Sequence, residues 1–228
     1  MRTTFLCDFD GTIAPADIGA GLVRRFAPGS AARLDALEAD WRAGRIGSRE
    51  LTLAQCAMLR VSEAEALAFV RGFGLDPAFA PFAREALARG DQVTIVSDGF
   101  DFYLRDRLDA VGLGDLPRAG NLARFEGDRM IPSFPFAAAG CGRCANCKAQ
   151  HVDRAREQGD RVVVVGDGAS DRCAAELADI VFARGELLDW CRGRGIPAHP
   201  FDDFAAVAAF ARGRTAEPTR PAATGTEG

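Results

Sequence analysis

The sequence predicts an α/β protein, in which a parallel sheet is covered by helices on both faces and a block of helices is inserted after the first strand. Three observations predict it. Short apolar, β-branched runs alternate with helical stretches along most of the chain, the pattern of a parallel sheet wound through crossover helices. The segment from Asp17 to Arg71 reads as helix after helix with no convincing strand. Three of the expected strands end in acidic or hydroxyl residues, and ligands of such sheets sit beyond the carboxyl ends of the strands.

Thr3 to Phe9 is a run of strand formers that ends at Asp10-Gly11, a buried strand entering a loop. Three or four short, Ala- and Leu-rich helices then follow, one of them opened by the capping box Ser62-x-x-Glu65. This block defines an inserted helical cap at residues 14–76, and the core comprises residues 1–13 and 77–212. Asp76-Pro77 starts a helix that Arg89-Gly90 ends. Gln92 to Val96 is a strand, Phe100 to Val111 a helix, and Asn121 to Ile131 a hairpin turning at Glu126-Gly127-Asp128. Lys148 to Gln158 is a helix, Arg161 to Val165 a strand and Ser170 to Leu177 a helix. A short strand at Ile180 to Phe182, a helix at Glu186 to Arg192, an edge strand at Ala198 to Pro200 and a final helix at Asp202 to Ala211 complete the core. Residues 213–228, rich in Gly, Pro, Thr and Ala, read as a disordered tail.

Composition narrows the function. The 228 residues suffice for one sizeable core plus an insertion, and 48% hydrophobic with 26% charged residues is ordinary for a globular protein. No apolar run approaches the roughly 20 residues of a membrane span, so no membrane association is expected. The amino terminus does not read as a secretory signal, which implies a cytoplasmic location. Seven cysteines, an odd number, are then expected mainly as reduced thiols. A net charge of -4 provides no basic footprint for nucleic acid. A monomer or homodimer acting on a small molecule is the expectation that remains.

The chemistry lies in Asp8-Phe9-Asp10-Gly11-Thr12, Ser97-Asp98-Gly99 and Gly166-Asp167-Gly168-Ala169-Ser170-Asp171. Any one of them alone is an ordinary turn. On neighbouring parallel strands they meet at one edge, and with a strand's period of two Asp8 and Asp10 leave the backbone on the same side. Crowded carboxylates repel unless a cation compensates them, and an all-oxygen ligand set suits Mg²⁺.

In that order, and with Lys148 between the second and third, these segments resemble the four motifs of the haloacid dehalogenase superfamily of phosphatases. The resemblance implies a Rossmann-like core with an inserted cap and an aspartyl-phosphate intermediate. A phosphate dianion is reached by an anionic nucleophile only when cations mask its charge, the task of Mg²⁺ and Lys148 while Asp8 attacks phosphorus. Asp10 would act as general acid and then base, which requires a raised pKa. Ser97, Asp98, Gly99 and Lys148 would bind the phosphate. Asp8, Asp10 through its carbonyl and Asp167 would hold the metal, with Asp171 orienting water or Lys148. Arg143 is the competing cation for the place given to Lys148.

Cys141-x-x-Cys144-x-x-Cys147 leads into Lys148. Its thiols are open to a structural metal, a reversible disulfide or plain reduced cysteine; zinc is possible but not favoured, because a closed site wants a fourth ligand. This lead, with Phe182-Ala183-Arg184 and the His199 to Phe204 ending, is similar to the methionine-salvage phosphatases of 2-hydroxy-3-keto-5-methylthiopentenyl-1-phosphate. Phosphoserine phosphatases are near relatives that grip their substrate with an acidic residue about where Asp17 stands and a cap arginine near Gln55. No equivalent arginine is found here, Arg60 being displaced, and Asp98 stands where both relatives commonly have Gly. Trp41 and Met58 are candidates for an apolar wall against a methylthio group. Phosphocholine and phosphoethanolamine phosphatases, a non-catalytic phosphate-binding regulatory protein and a metal-binding cysteine module are the alternatives. His151 and His199 read as structural or surface groups.

Overall fold

The computed structural model describes residues 1–213; the expected disordered tail lies outside the described residues save for Gly213, which closes the last helix. Among the described residues seven strands form one sheet in the order β4-β3-β2-β1-β5-β6-β7. The strands are β1 (Thr3–Cys7), β2 (Gln92–Phe100), β3 (Arg118–Glu126), β4 (Arg129–Ser133), β5 (Arg161–Gly166), β6 (Ile180–Ala183) and β7 (His199–Pro200). Every pairing is parallel except β3 with β4, the expected hairpin, which turns at Gly127 with φ of +62°. This is the predicted α/β class.

The centre of the sheet follows from the alternation of side chains along its strands. On β1, Phe5 and Cys7 enter one core while Leu6 enters the other; on β5, Val163 and Val165 oppose Val162 and Val164. The first core is aromatic. Phe5 meets Phe82 edge-on at 5.0 Å, and Phe79, Phe82 and Phe204 pack α5 (Phe79–Ala88) against α10 (Phe204–Gly213). The second core is aliphatic, closed by α7 (Lys148–Glu157), α8 (Arg172–Leu177) and α9 (Gly185–Arg194). Both faces of β1 are therefore sealed, which holds its carboxyl end still.

Between β1 and α5 the chain forms α1 (Ile18–Phe26), α2 (Ala31–Arg42), α3 (Ser48–Met58) and α4 (Glu63–Val70). The Ser62–Glu65 capping box opens α4, with both reciprocal hydrogen bonds made. Some boundaries differ from the sequence reading for local reasons. Asp76 and Pro77 form a capping turn rather than helix, the Asp76 carboxylate accepting from the amides of Ala78 and Phe204. Strand β2 runs through Ser97-Asp98-Gly99 to Phe100, because after a register shift at Val96 the chain resumes pairing with Asn121. A 3-10 turn at Ala169–Asp171 precedes α8, and α6 is confined to Asp101–Asp109.

Candidate active site

The carboxyl ends of β1, β2 and β5 open into a cavity of about 400 Å³, roofed by residues of α1, α2 and α3. Asp8 follows β1 directly, its amide donating to Val165 O at 2.9 Å, and it is 8% exposed. Asp167 and Asp171 follow β5. One carboxylate oxygen each from Asp8, Asp167 and Asp171 lies within 4.8 Å of the others, and among the described residues this is the group of acidic, His or Cys side chains that converges so closely. Burial, then Asp171, pushes the Asp8 carboxyl well above the usual range; burial and Asp171 push Asp167 up to about 6. These are the shifts expected of buried carboxylates that crowd one another.

Lys148 at the first turn of α7 is the counter-charge. Its Nζ lies 2.7 Å from Asp8 Oδ1 and 2.7 Å from Asp171 Oδ1. Burial works against its charge, but Asp171 and Asp8 outweigh burial and its pKa is raised, so it is a fixed cation. Arg143 goes elsewhere: its guanidinium donates to the carbonyls of Gly44 and Ile46. Asp171 does more than hold the lysine, since its Oδ2 also accepts from the amides of Asp167 and Gly168 at 3.3 and 3.2 Å. Thr12 Oγ1 donates to Asp167 Oδ1 at 2.7 Å.

Asp10 lies past the end of β1, which closes at Cys7, and its carboxylate is not one of the three that converge. Its Oδ1 accepts from Ile18 N at 2.8 Å and its Oδ2 from the Tyr103 hydroxyl at 2.5 Å, while the residue still lines the cavity. Burial, helped by the Asp17 charge, raises its pKa to about 7. Glycine is required close by: a Cβ on Gly11 would overlap Asp167, and one on Gly99 would overlap the Tyr103 hydroxyl and Asp10 Oδ2.

The remaining sequence candidates divide. Ser97, 1% exposed, lines the cavity and accepts from Gly99 N at 2.9 Å. Asp98 also lines it, but its carboxylate is occupied by the Asn146 amide at 2.9 Å and by Ser48, so it ties the floor to α3 rather than facing a ligand freely. Asp17, Trp41 and Gln55 line the cavity, Asp17 also capping α1 through Ala20 N. Met58 does not line it; at the end of α3 it packs against the aromatic core. Cys141 Sγ and Cys144 Sγ lie 3.6 Å apart, whereas Cys147 sits at the cap position of α7. His151 is buried, its Nε2 paired with Asn146 Oδ1 at 3.0 Å. Sequence reading missed Tyr103, and it missed Arg24, Arg42 and Glu38, a charged trio on the cavity wall in which both arginines face Glu38. Tyr103 had one signal, a lone tyrosine two residues into the helix after the Ser97 segment.

Strand order, acidic cluster and lysine together define a class. Residues 5–176 match the haloacid dehalogenase-like hydrolase family, and the chain belongs to that family. Its sequence is similar to the 2-hydroxy-3-keto-5-methylthiopentenyl-1-phosphate phosphatase of Geobacillus kaustophilus, 33% identical over 89% of this chain and 92% of that one. The enzyme of the same name from an Exiguobacterium species is 29% identical over 93% of this chain and 99% of its own. Among solved structures, a substrate-bound phosphoserine phosphatase superimposes with a TM-score of 0.72 at 17% identity, over 92% of this chain and 98% of that one. A phospho-aspartyl intermediate analogue of phosphoserine phosphatase does so with 0.71 at 18%, over the same shares. The structural likeness concerns the fold alone; the family match and the sequence relatives make this chain a phosphatase. No helix among the described residues is long and apolar enough to cross a membrane.

Proposed function

We propose that the chain hydrolyses a small phosphate monoester through an aspartyl-phosphate formed on Asp8, with Mg²⁺ as cofactor. The observation that carries this reading is the meeting of Asp8, Asp167 and Asp171 around Lys148 at the floor of the cavity. Three carboxylates, two of them buried, against one lysine leave negative charge uncompensated, and the donors are oxygens, so the residues fit Mg²⁺. Asp8, Asp167 and the carbonyl of Asp10 would hold it, and when bound it supplies charge neutralisation at the phosphoryl oxygens.

The protein's own groups divide the rest of the work. Lys148, fixed between Asp8 and Asp171, presents its charge to the phosphate while Asp8 attacks phosphorus. Ser97 hydrogen-bonds the transferring phosphoryl group. Asp10, with a pKa of about 7, gives a proton to the leaving oxygen and takes one from the water that cleaves the acyl phosphate. Tyr103 and the amide of Ile18 fix the direction of the Asp10 carboxylate. Helices α1 to α4 act as the cap over this floor.

The substrate reading follows the roof. Leu22, Val23, Trp41 and Leu51 give the cavity an apolar wall. Both wall arginines already face Glu38, which leaves a substrate carboxylate without a free partner there. These features favour a metabolite such as 2-hydroxy-3-keto-5-methylthiopentenyl-1-phosphate over phosphoserine. Hydrolysis rates across a panel containing that ester, phosphoserine, phosphocholine and phosphoethanolamine, each with and without Mg²⁺, test the reading. The methylthio ester should be preferred and every rate should collapse without the metal; phosphoserine well ahead of the others would overturn the substrate, and metal-independent turnover the cofactor.

A further inference from the structure

The cysteine segment ahead of Lys148 is not consumed by the hydrolytic chemistry, yet it touches both halves of the cavity. Arg143, enclosed between Cys141 and Cys144, bonds to the cap: its guanidinium reaches Gly44 and Ile46, and its carbonyl accepts from Arg49 N at 3.1 Å. The approach is so close that a Cβ on Gly47 would overlap the Arg143 backbone. Immediately afterwards Ala145 N donates to Ser48 Oγ at 2.9 Å. Asn146 then donates to Asp98 Oδ1, Ser97 O and Ala119 O on the floor. Two residues later comes Lys148. The segment is a latch holding the start of α3 against the last part of β2 and the start of β3.

Its sulfurs are arranged for exchange. Cys141 is exposed and Cys144 half-buried, 3.6 Å from it. The amides of Arg143 and Cys144 donate to Cys141 and, with the Arg143 charge, favour its thiolate, whereas burial keeps Cys144 protonated. An exposed attacking thiol beside a shielded partner is the arrangement of a reactive dithiol. Closing the sulfurs from 3.6 Å to bonding distance pulls on the backbone either side of Arg143, which packs closely on Gly47, and it removes the thiolate charge that the two amides satisfy.

We propose that Cys141 and Cys144 form a redox modification site, oxidised to an intramolecular disulfide by small-molecule disulfides, and that this oxidation releases the latch between cap and floor. The Cys141 thiolate attacks one sulfur of the small disulfide, whose S–S bond breaks and expels a thiolate. Cys144 gives its proton to solvent, attacks the Cys141 sulfur and expels the second thiolate. The cysteine pair loses two electrons and the small disulfide gains them as two thiols.

The test incubates the full, reduced chain with oxidised glutathione and reads three quantities. Peptide mass mapping should find a Cys141–Cys144 crosslink in the wild type, reversed by dithiothreitol. Hydrogen exchange at the Arg49 amide should accelerate on oxidation. Turnover of p-nitrophenyl phosphate with Mg²⁺ should fall roughly tenfold in kcat/KM, the loss expected from one or two bonds across the latch. Cys141→Ser and Cys144→Ser should keep the basal rate and ignore the oxidant. A stable mixed disulfide, crosslinking to another cysteine, or a crosslink that leaves both the Arg49 exchange and the rate unchanged would overturn the proposal. The mass and exchange readouts do not depend on which metabolite the enzyme hydrolyses, so failure here is distinct from failure of the substrate reading.

Discussion

Asp8 and Asp167 directly follow β1 and β5 and Ser97 lies in the last part of the adjacent parallel β2, whereas Trp41, Leu51 and Gln55 stand on helices that reach the same cavity from across a latch of loop contacts. The two sets differ in what holds them. The floor inherits its geometry from sheet hydrogen bonds in fixed register and from cores on both faces of β1, so a displacement there must disturb buried side chains such as Phe5 and Leu6. The roof is held by helix packing, by the Arg143 and Asn146 segment and by charged pairs such as Arg24 with Glu38. A rigid floor suits chemistry that tolerates little misplacement, while a roof tied by a few polar contacts suits selection of substrate and passage in and out.

That contrast predicts a gradient of mutational effects. The largest belongs to Asp8→Asn, which changes one oxygen for nitrogen at the proposed nucleophile and should lower kcat by on the order of 10⁴-fold or more while the melting temperature holds. Next is Gly99→Ala. Its Cβ would displace the Tyr103 hydroxyl and the Asp10 carboxylate, and a shift of that kind should cost about 10²-fold in kcat with little change in KM. On the roof, Trp41→Ala should raise KM for a methylthio substrate about tenfold and leave kcat nearly intact, since it removes apolar contact area but no reacting group. Equal effects of the floor and roof substitutions on kcat would break the comparison.

The smallest effect is one of pH on stability. His151 is buried against Asn146 and the Phe136 ring, and burial, with Arg154 and Lys148, lowers its pKa from 6.5 to about 4. Between those values the unfolded chain binds a proton that the folded one excludes, so this contribution is complete above pH 6.5 and is lost as pH falls toward 4. Melting curves of the wild type and of His151→Gln should therefore diverge at neutral pH and converge on acidification; a constant gap would show that His151 takes up its proton at the same pH folded and unfolded.

The same division explains what could be read from sequence. Asp8, Ser97 and Asp167 were legible because β-branched runs mark strands, and parallel neighbours must bring their carboxyl ends to one edge; Lys148, at the start of a helix, was picked out only by the family resemblance. The capping box at Ser62 was legible because it is local. Asp10 was legible with Asp8 as a second carboxylate of the same cavity, but that β1 stops at Cys7 and that Tyr103 and the Ile18 amide hold its carboxylate were not. Met58 was offered to the cavity but does not line it and packs, partly buried, against the core, and the Arg24, Arg42 and Glu38 trio was missed. Which face of a short helix looks inward depends on how the helices sit on the core, and no spacing rule in the chain encodes that. Tyr103 belongs to the same class, since its bond to Asp10 joins residues 93 apart in sequence.

The central claim is that the floor carries a phosphoryl group covalently, and the most direct measurement is rapid quenching of the enzyme during turnover followed by mass mapping of the phosphorylated peptide. The account predicts an acid-stable, hydroxylamine-labile phosphoryl group on Asp8, absent from Asp8→Asn. Steady turnover with no protein-bound phosphate at any quench time, or with the label on another residue, would contradict it.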